Sequence, residues 1–331
     1  MATVRIRSGA AVRRWCSAAL VAGLAPLGVV ACGHGDSTSA NGTLSITVAV
    51  PPVVSGGDVY VAQQQGFFAK HHLDVTVRVL NGGSAIVPAM ESGAVDIGES
   101  NVVSVIQGAV RGIAEPCFSG ANTDPTSGHY LSLVADGIGT AAGLRGTTVA
   151  VNASNGINQL LVESYLDANG VDPHSVHFMA LPFPDMPQAL SGKRVVAAVT
   201  SEPFTTVAMR GGAQLVSGTM LTTVPGNPTY SCWNASSSWL SAHRSSAADF
   251  VAAMADTDAW IASHQADFRT IVSHHVKIEP DVLSAMSLPV FTDKLTAADL
   301  TAWETAAKKY GLIDHDPAPA DVLSTVTAAT G

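Results

Sequence analysis

Charge is scarce in this chain: Asp, Glu, Lys and Arg make up 13% of its 331 residues, against 47% apolar ones. So little charge over so much apolar content lets a chain of this length bury a substantial core, and the length suits two lobes. Basic residues are scarcer than acidic ones, 17 against 26, for a net charge of −9. That sign argues against nucleic acid as a partner and against a basic membrane-binding face. Past residue 31 no apolar run is long enough to span a bilayer. Catalytic and phosphate-binding signatures are missing as well: there is no Gly-x-Ser-x-Gly elbow, no Gly-Lys-Ser/Thr phosphate loop, no His-Glu-x-x-His and no Cys-x-x-Cys. The histidines do not replace them. His71-His72 and His274-His275 put adjacent side chains about 100° apart on a helix, a poor arrangement for one metal. His174 and His177 flank a turn and lack a third ligand. These gaps point away from an enzyme and imply no cofactor and no metal.

What is present begins at the N-terminus. Arg5, Arg7, Arg13 and Arg14 precede an apolar run from Trp15 to Val30 that closes on Val29-Val30-Ala31-Cys32. The run is too short for a stable ~20-residue span and Pro26 interrupts it, so residues 1–31 read as an export signal ending in a lipoprotein box. Cleavage before Cys32 makes that cysteine the lipidation site. An ordinary secretory signal cut near the same place is the alternative, giving a soluble periplasmic or secreted protein. Residues 32–43 are small and polar, a flexible tether between lipid and folded domain. Removing the leader takes four arginines and no acids, which leaves 13 basic against 26 acidic residues, a net −13. Four cysteines are present in all; Cys16 leaves with the leader and Cys32 takes the lipid, leaving Cys117 and Cys232. In an exported protein two cysteines suggest one disulfide, with two buried free thiols as the alternative.

The body alternates short β-branched runs with helical patterns, the signature of βα units on a mostly parallel sheet. Strands are expected at Leu44 to Val50, Leu73 to Leu80, Ala94 to Gly98, Thr148 to Val151, Val176 to Leu181, Val195 to Thr200 and Ala213 to Val216. Asp58 is placed to cap a helix running to Gln65, and Ser100 to cap one over Asn101 to Arg111, with Gly66 and Gly112 past their ends. Another helix is expected from Ile157 to Asn169, closed by Gly170. From Ala242 onward the pattern is almost wholly helical, near 243–263, 265–275, 280–287 and 296–310, a closing appendage rather than a new domain. No solenoid-period repeat occurs.

Five segments then occur in a familiar order: Gly66-Phe67-Phe68-Ala69-Lys70-His71-His72-Leu73-Asp74-Val75, Asn81-Gly82-Gly83-Ser84, Ser92-Gly93-Ala94-Val95-Asp96-Ile97-Gly98, Gly143-Leu144-Arg145-Gly146-Thr147-Thr148-Val149-Ala150, and Glu202-Pro203-Phe204. Across residues 44 to 315 the chain resembles solute-binding proteins of sulfonate, nitrate and taurine ABC importers, a group that includes binders of thiamine pyrimidine precursors. The resemblance implies an α/β, two-lobed periplasmic-binding-protein-like (type II) fold. Each lobe would be a mixed sheet flanked by helices, with the ligand cleft between them. Lobe 1 would take residues 44–130 and 228–331, and lobe 2 residues 131–227. It further implies a monomer on the outer face of the cell membrane that hands a small organic or anionic solute to an ABC permease and its ATPase. One relative of this group makes a thiamine pyrimidine, so an enzyme on the same fold is the alternative function, but its cysteine-rich motif is missing here.

The loops fit a cleft on physical grounds too. Ligands of open α/β sheets sit beyond the carboxyl ends of strands, where loops lead into helix N-termini. Four such loops are visible, and each contains Gly, Ser or Asn, which bring backbone and short polar side chains close to a ligand. They contribute Val53 and Ser55, then Gly82, Gly83 and Ser84, then Glu99, Ser100 and Asn101, and last Asn152, Ser154 and Asn155 as candidate ligand contacts. Taken singly, such residues also simply make turns. None of the four loops carries Lys or Arg, which favours a neutral or amine-bearing ligand over a strongly charged anion, unless Arg145, Arg194 or Arg210 reaches inward.

By the same resemblance the chain crosses between lobes near 117–131 and 222–234. That places Cys117 and Cys232 close to adjacent crossing strands, where a disulfide would staple the hinge base. Tyr230 and Trp233 fall on the returning strand, positioned either to stack on a ligand or to pack the hinge. Glu202, in the recurring Glu-Pro-Phe segment, either accepts hydrogen bonds from a ligand or caps the helix beginning near Pro203.

Overall fold

A computed structural model of the chain describes residues 42–276 and 278–326. The leader, Cys32 and all but the last two residues of the tether lie outside the described residues. Among the described residues no helix is long and apolar enough to cross a membrane.

Strands β1 (Leu44–Val50), β2 (Leu73–Val79), β3 (Ile97–Asn101), β4 (Cys117–Thr123), β5 (Leu131–Ala135), β6 (Thr148–Val151), β7 (His177–Ala180), β8 (Ala197–Ser201), β9 (Gln214–Ser217), β10 (Ser231–Ala235) and β11 (Val290–Phe291) form two sheets. The first has the order β11-β4-β10-β3-β1-β2 and the second β7-β6-β8-β5-β9. In each, a parallel block (β2-β1-β3 and β7-β6-β8) continues into antiparallel strands, so both sheets are mixed. The chain leaves the first sheet after Thr123 and enters the second at Leu131; it returns between Ser217 and Ser231. Each sheet and its covering helices form one lobe.

The cores follow from the apolar strand runs. Val48 and Ile97 in lobe 1, and Leu133 and Val199 in lobe 2, have no exposed surface. Side chains of this size contribute about 1.5–3 kcal/mol each on full burial. Helix Arg244–Ser263 lays Phe250 over lobe 1, where the ring meets Trp233 edge-on at 5.0 Å between centroids. The C-terminal helices do more than close lobe 1. Asp281, in helix Pro280–Ala285, pairs with Arg210 of lobe 2, and Lys309, at the end of helix Ala297–Lys309, reaches Asp167 of lobe 2 at 2.5 Å.

Several elements depart from expectation. β3 begins at Ile97 rather than Ala94, because Gly93 (φ +72°) and the Ala94 N–H bond to Ala89 O hold residues 93–94 in a turn. The cap of helix Val102–Val110 is Asn101, whose side chain accepts the Ser104 N–H at 2.9 Å; Ser100 lies one residue too early, inside the strand. Asp58 is the first residue of its helix rather than its cap, with Gly57 before it, and accepts its neighbour Val59 N–H at 2.7 Å. Cys117 on β4 and Cys232 on β10 are joined by a disulfide. With 115 residues between its ends, the bond closes the loop that contains all of lobe 2 and ties together the two chain segments that build lobe 1.

Candidate functional site

The carboxyl ends of the parallel strands in both lobes point at one narrow cavity of about 30 Å³. That is room for roughly two waters, so an organic solute enters only when the lobes part. Lobe 1 supplies Pro51, Val53 and Ser55 after β1, Gly82 and Gly83 after β2, and Glu99 and Asn101 from the end of β3. Lobe 2 supplies Asn152 after β6, Phe183 after β7 and Ser201 at the end of β8. The crossings add Tyr130, Tyr230 and Ser231. Glycine is required where β2 leads into helix Gly83–Glu91. Gly82 has φ +77°, and a Cβ on Gly83 would stand 2.7 Å from Ser104 Cβ, so only glycines let these two helix N-termini crowd the cleft.

Glu99 dominates the electrostatics. It is 3% exposed, and burial pushes its carboxyl up to about 7, with Ser55, Asn122 and Ser231 pulling the value back down. Asn122 Nδ2 donates to Oε1 at 2.6 Å and Ser231 Oγ to the same oxygen at 3.2 Å. The other oxygen, Oε2, has no partner at hydrogen-bond geometry among the described residues, although the Ser55 hydroxyl stands near the carboxyl. Behind it Asp58 is buried too, its carboxyl raised first by burial and then by the charges of Glu99 and Asp258. Among the described residues no Lys or Arg lines the cavity. Tyr130 is shielded as well; burial raises its phenol, against hydrogen bonds from Ser55 and Ser201.

Of the candidate contacts read from sequence, Val53, Ser55, Gly82, Gly83, Glu99, Asn101, Asn152 and Tyr230 come together around this cavity. Six others do not. Ser84 and Ser154 are exposed. Ser100 is fully buried on the opposite face of β3, as strand alternation requires once Glu99 and Asn101 face the cleft. Asn155 faces across the lobe seam instead, its carbonyl accepting from Gln107 Nε2 at 2.9 Å. Trp233 lies further along β10, packed under Phe250 in the lobe 1 core. Glu202 is fully buried at the seam and is engaged by His129, Thr206 and Ser287. Sequence reasoning missed Pro51, Tyr130, Phe183, Ser201 and Ser231. Ser201 was within reach, since it ends the strand whose next residue is Glu202, and alternation turns one of the two toward the cleft.

A mouth adjoins the polar cavity. Pro51 and Val53 also line a neighbouring space of about 280 Å³ bounded by Pro52, Tyr60, Val79, Pro184 and Phe204, with Val79 53% exposed. His275 and Val276 complete its lining, so a polar cavity walled by carboxyl, amide and hydroxyl groups lies beside a largely apolar space.

Residues 39–276, most of the chain and all of the cavity-lining segments, match the NMT1-like family. The chain belongs to that family. A Brachyspira hyodysenteriae protein described as an ABC transporter periplasmic binding protein is 24% identical over 213 residues, 60% of each chain. This chain thus spans about 60% of that relative's length. The alkanesulfonate-binding protein SsuA of Xanthomonas axonopodis pv. citri superposes with a TM-score of 0.69 at 15% identity, covering 84% of this chain and 96% of that one. The nitrate-binding protein NrtA of Synechocystis PCC 6803 superposes with a TM-score of 0.65 at 12% identity, covering 81% and 82%. This NMT1-like chain accordingly has the two-lobed periplasmic binding protein fold, as the sequence motifs implied. Among its described residues no group of three or more His, Cys, Asp or Glu is placed to hold a metal ion.

Proposed function

We propose that this NMT1-like protein is the extracytoplasmic solute-binding component of an ABC importer, held to the outer face of the membrane by lipid on Cys32. It captures a small solute between its lobes and presents the closed form to the permease, which a cytoplasmic ATPase drives. The observation that carries this reading is the cavity itself, built from strand ends of both lobes, so that any solute within it touches both and favours closure. Energy of binding then shifts the open–closed equilibrium rather than driving chemistry. Family membership supports the class of protein, and the absence of nucleophile, metal and phosphate motifs from the sequence supports binding without turnover.

Thermal unfolding of the exported form tests this against taurine, alkanesulfonates, nitrate, bicarbonate, aminopyrimidines and aromatic carboxylates. A solute at a hundred times its Kd adds about 2.7 kcal/mol, a shift of a few degrees. One clear stabiliser recovered chemically unchanged is the expected result. A stabiliser converted to product would favour the alternative, an enzyme of pyrimidine biosynthesis on the same fold.

A further inference from the structure

We propose that the solute is recognised through an N–H donor group, an amine, amidine or amino-heterocycle, which binds Glu99 Oε2 and Asn152 Oδ1 from the two sides of the cleft. This deepens the importer reading and rests on it. Plain anions such as nitrate or an unsubstituted alkanesulfonate are then poor ligands.

Glu99 and Asn152 line the cavity, are 3% and 8% exposed, and each carries a buried oxygen, Oε2 and Oδ1, that has no hydrogen-bond partner among the described residues. A buried polar atom left unpaired is costly, so a ligand that supplies its partner gains what the protein lacks alone. Asn152 Oδ1 is an acceptor, and Glu99 Oε2 is one whenever the carboxyl is ionised, the form that a bound N–H donor favours, so the chemistry that satisfies both is a donor. They come from opposite lobes, after β6 and on β3, so one donor-bearing group between them joins the lobes. An approaching anion meets the reverse: a carboxyl group with buried Asp58 near it and, among the described residues, no lining Lys or Arg to offset either.

Negative charge is favoured by the lining hydroxyls of Ser55, Tyr130, Ser201, Tyr230 and Ser231 and by the N-terminus of the nine-residue helix Gly83–Glu91, which has no side-chain cap among the described residues. A helix end carries about half a unit charge. That is enough to take an acceptor atom at the far end of the same solute, and too little to outweigh a buried carboxylate facing an anion. The apolar mouth beside Pro51 and Val53 suits an apolar body between or beyond these polar ends.

The test uses two probe pairs that differ by an amino group on a common skeleton, taurine with ethanesulfonate and 4-aminopyrimidine with 4-methylpyrimidine, and adds propylamine and nitrate as a simple cation and a simple anion. Binding is measured by calorimetry on protein freed of co-purified molecules by unfolding and refolding without reduction. The expected result is that at least one amine-bearing probe binds about tenfold or more tightly than its partner, and that Glu99→Gln, folded by circular dichroism, loses that advantage. Asn152→Ala should weaken the same probe. Tighter binding of ethanesulfonate or nitrate than of the amines overturns the donor assignment and leaves the solute-binding role intact. Equal amine binding by wild type and Glu99→Gln overturns it as well. A folded protein that binds neither these probes nor any solute of the wider panel overturns both readings together.

Discussion

His129 Nδ1 sits 2.6 Å from Glu202 Oε1, on a carboxyl group that is fully buried where the lobes meet. The same carboxyl group accepts the Thr206 N–H and hydroxyl at 3.1 and 2.8 Å and the Ser287 N–H at 3.1 Å, while the Glu202 carbonyl accepts the Val54 N–H at 2.9 Å. Glu202 is thus a clasp between lobe 2, the first loop of lobe 1 and the C-terminal segment. Glu202→Gln places an amide among donors that need an acceptor. It should destabilise the protein by about 1.5–3 kcal/mol in urea unfolding, the range for hydrogen bonds to charged groups. An unchanged midpoint would mean that the clasp carries no net energy.

His129 adds a pH signature. Its hydrogen bond to Glu202 raises its pKa, more than burial lowers it. The folded state therefore favours the imidazolium: the stabilisation is fully present below the unfolded value of about 6.5 and is lost as pH rises through the higher folded value. Unfolding free energies of wild type and His129→Gln should differ most on the acid side and converge as the solution becomes alkaline.

Three buried carboxyls, Glu99, Glu115 and Asp124, and the half-buried Asp258 act in the same direction. Burial pushes Glu99 and Asp124 up to about 7, Glu115 up to about 8 and Asp258 up to about 7. Between their unfolded values near 4 and these folded values the native state holds more protons, so stability falls as pH rises through that window. The melting temperature should be higher at about pH 5.5 than at about pH 8. For Glu99 alone the effect is at most about 3 kcal/mol. Glu99→Gln should therefore match wild type near pH 4 and exceed it in stability near pH 8, even as it loses ligand. A variant less stable at pH 8 would show that the Asn122 and Ser231 bonds outweigh the desolvation of the charge.

The elements most legible in the sequence are those whose side chains alone specify them. β1 and β6, with runs of Val, Ile, Leu and Thr, fall where the residues place them, and helix Gln265–His275 does likewise. β4 and β10 were invisible to periodicity because CFSGANT and SCWNA carry little branched apolar content; neighbours on both sides make them strands. Only the family resemblance pointed to crossing strands there. The cleft was legible through its loops, since Gly82, Gly83 and Asn152 sit where strand ends need small polar residues. The positions of Ser84, Ser100 and Ser154 depended on which way a side chain turns at a strand end or first helical turn, which a one-residue shift reverses.

The disulfide gives a prediction independent of the cleft. Cys117 and Cys232 are both fully buried, and their bond spans 115 residues of chain. Replacing both by Ala should cost about 2–5 kcal/mol, mostly by freeing the unfolded chain. Because the bond lies within the lobe 1 sheet, solute affinity of the folded variant should stay within about twofold of wild type. A large loss of affinity would show that the bond also sets the lobe geometry.

Gly83 links the fold to the site most tightly. A Cβ there would come within 2.7 Å of Ser104 Cβ, 2.8 Å of Ser104 Oγ and 3.0 Å of Asn101 Nδ2, the side chain that caps the next helix and lines the cavity. Gly83→Ala should therefore cost about 1–3 kcal/mol through overpacking and weaken solute binding at the same time, as Asn101 is displaced. The pairing predicts its own rescue. Ser104→Gly removes the two closest atoms and leaves Asn101 Nδ2 at 3.0 Å, so it should restore part of the affinity to Gly83→Ala, though a glycine inside a helix keeps about 1 kcal/mol of the deficit. Ser104→Ala retains the Cβ at 2.7 Å and should rescue little. Equal rescue by the two would place the obstruction at the hydroxyl rather than at the close approach of two helix N-termini.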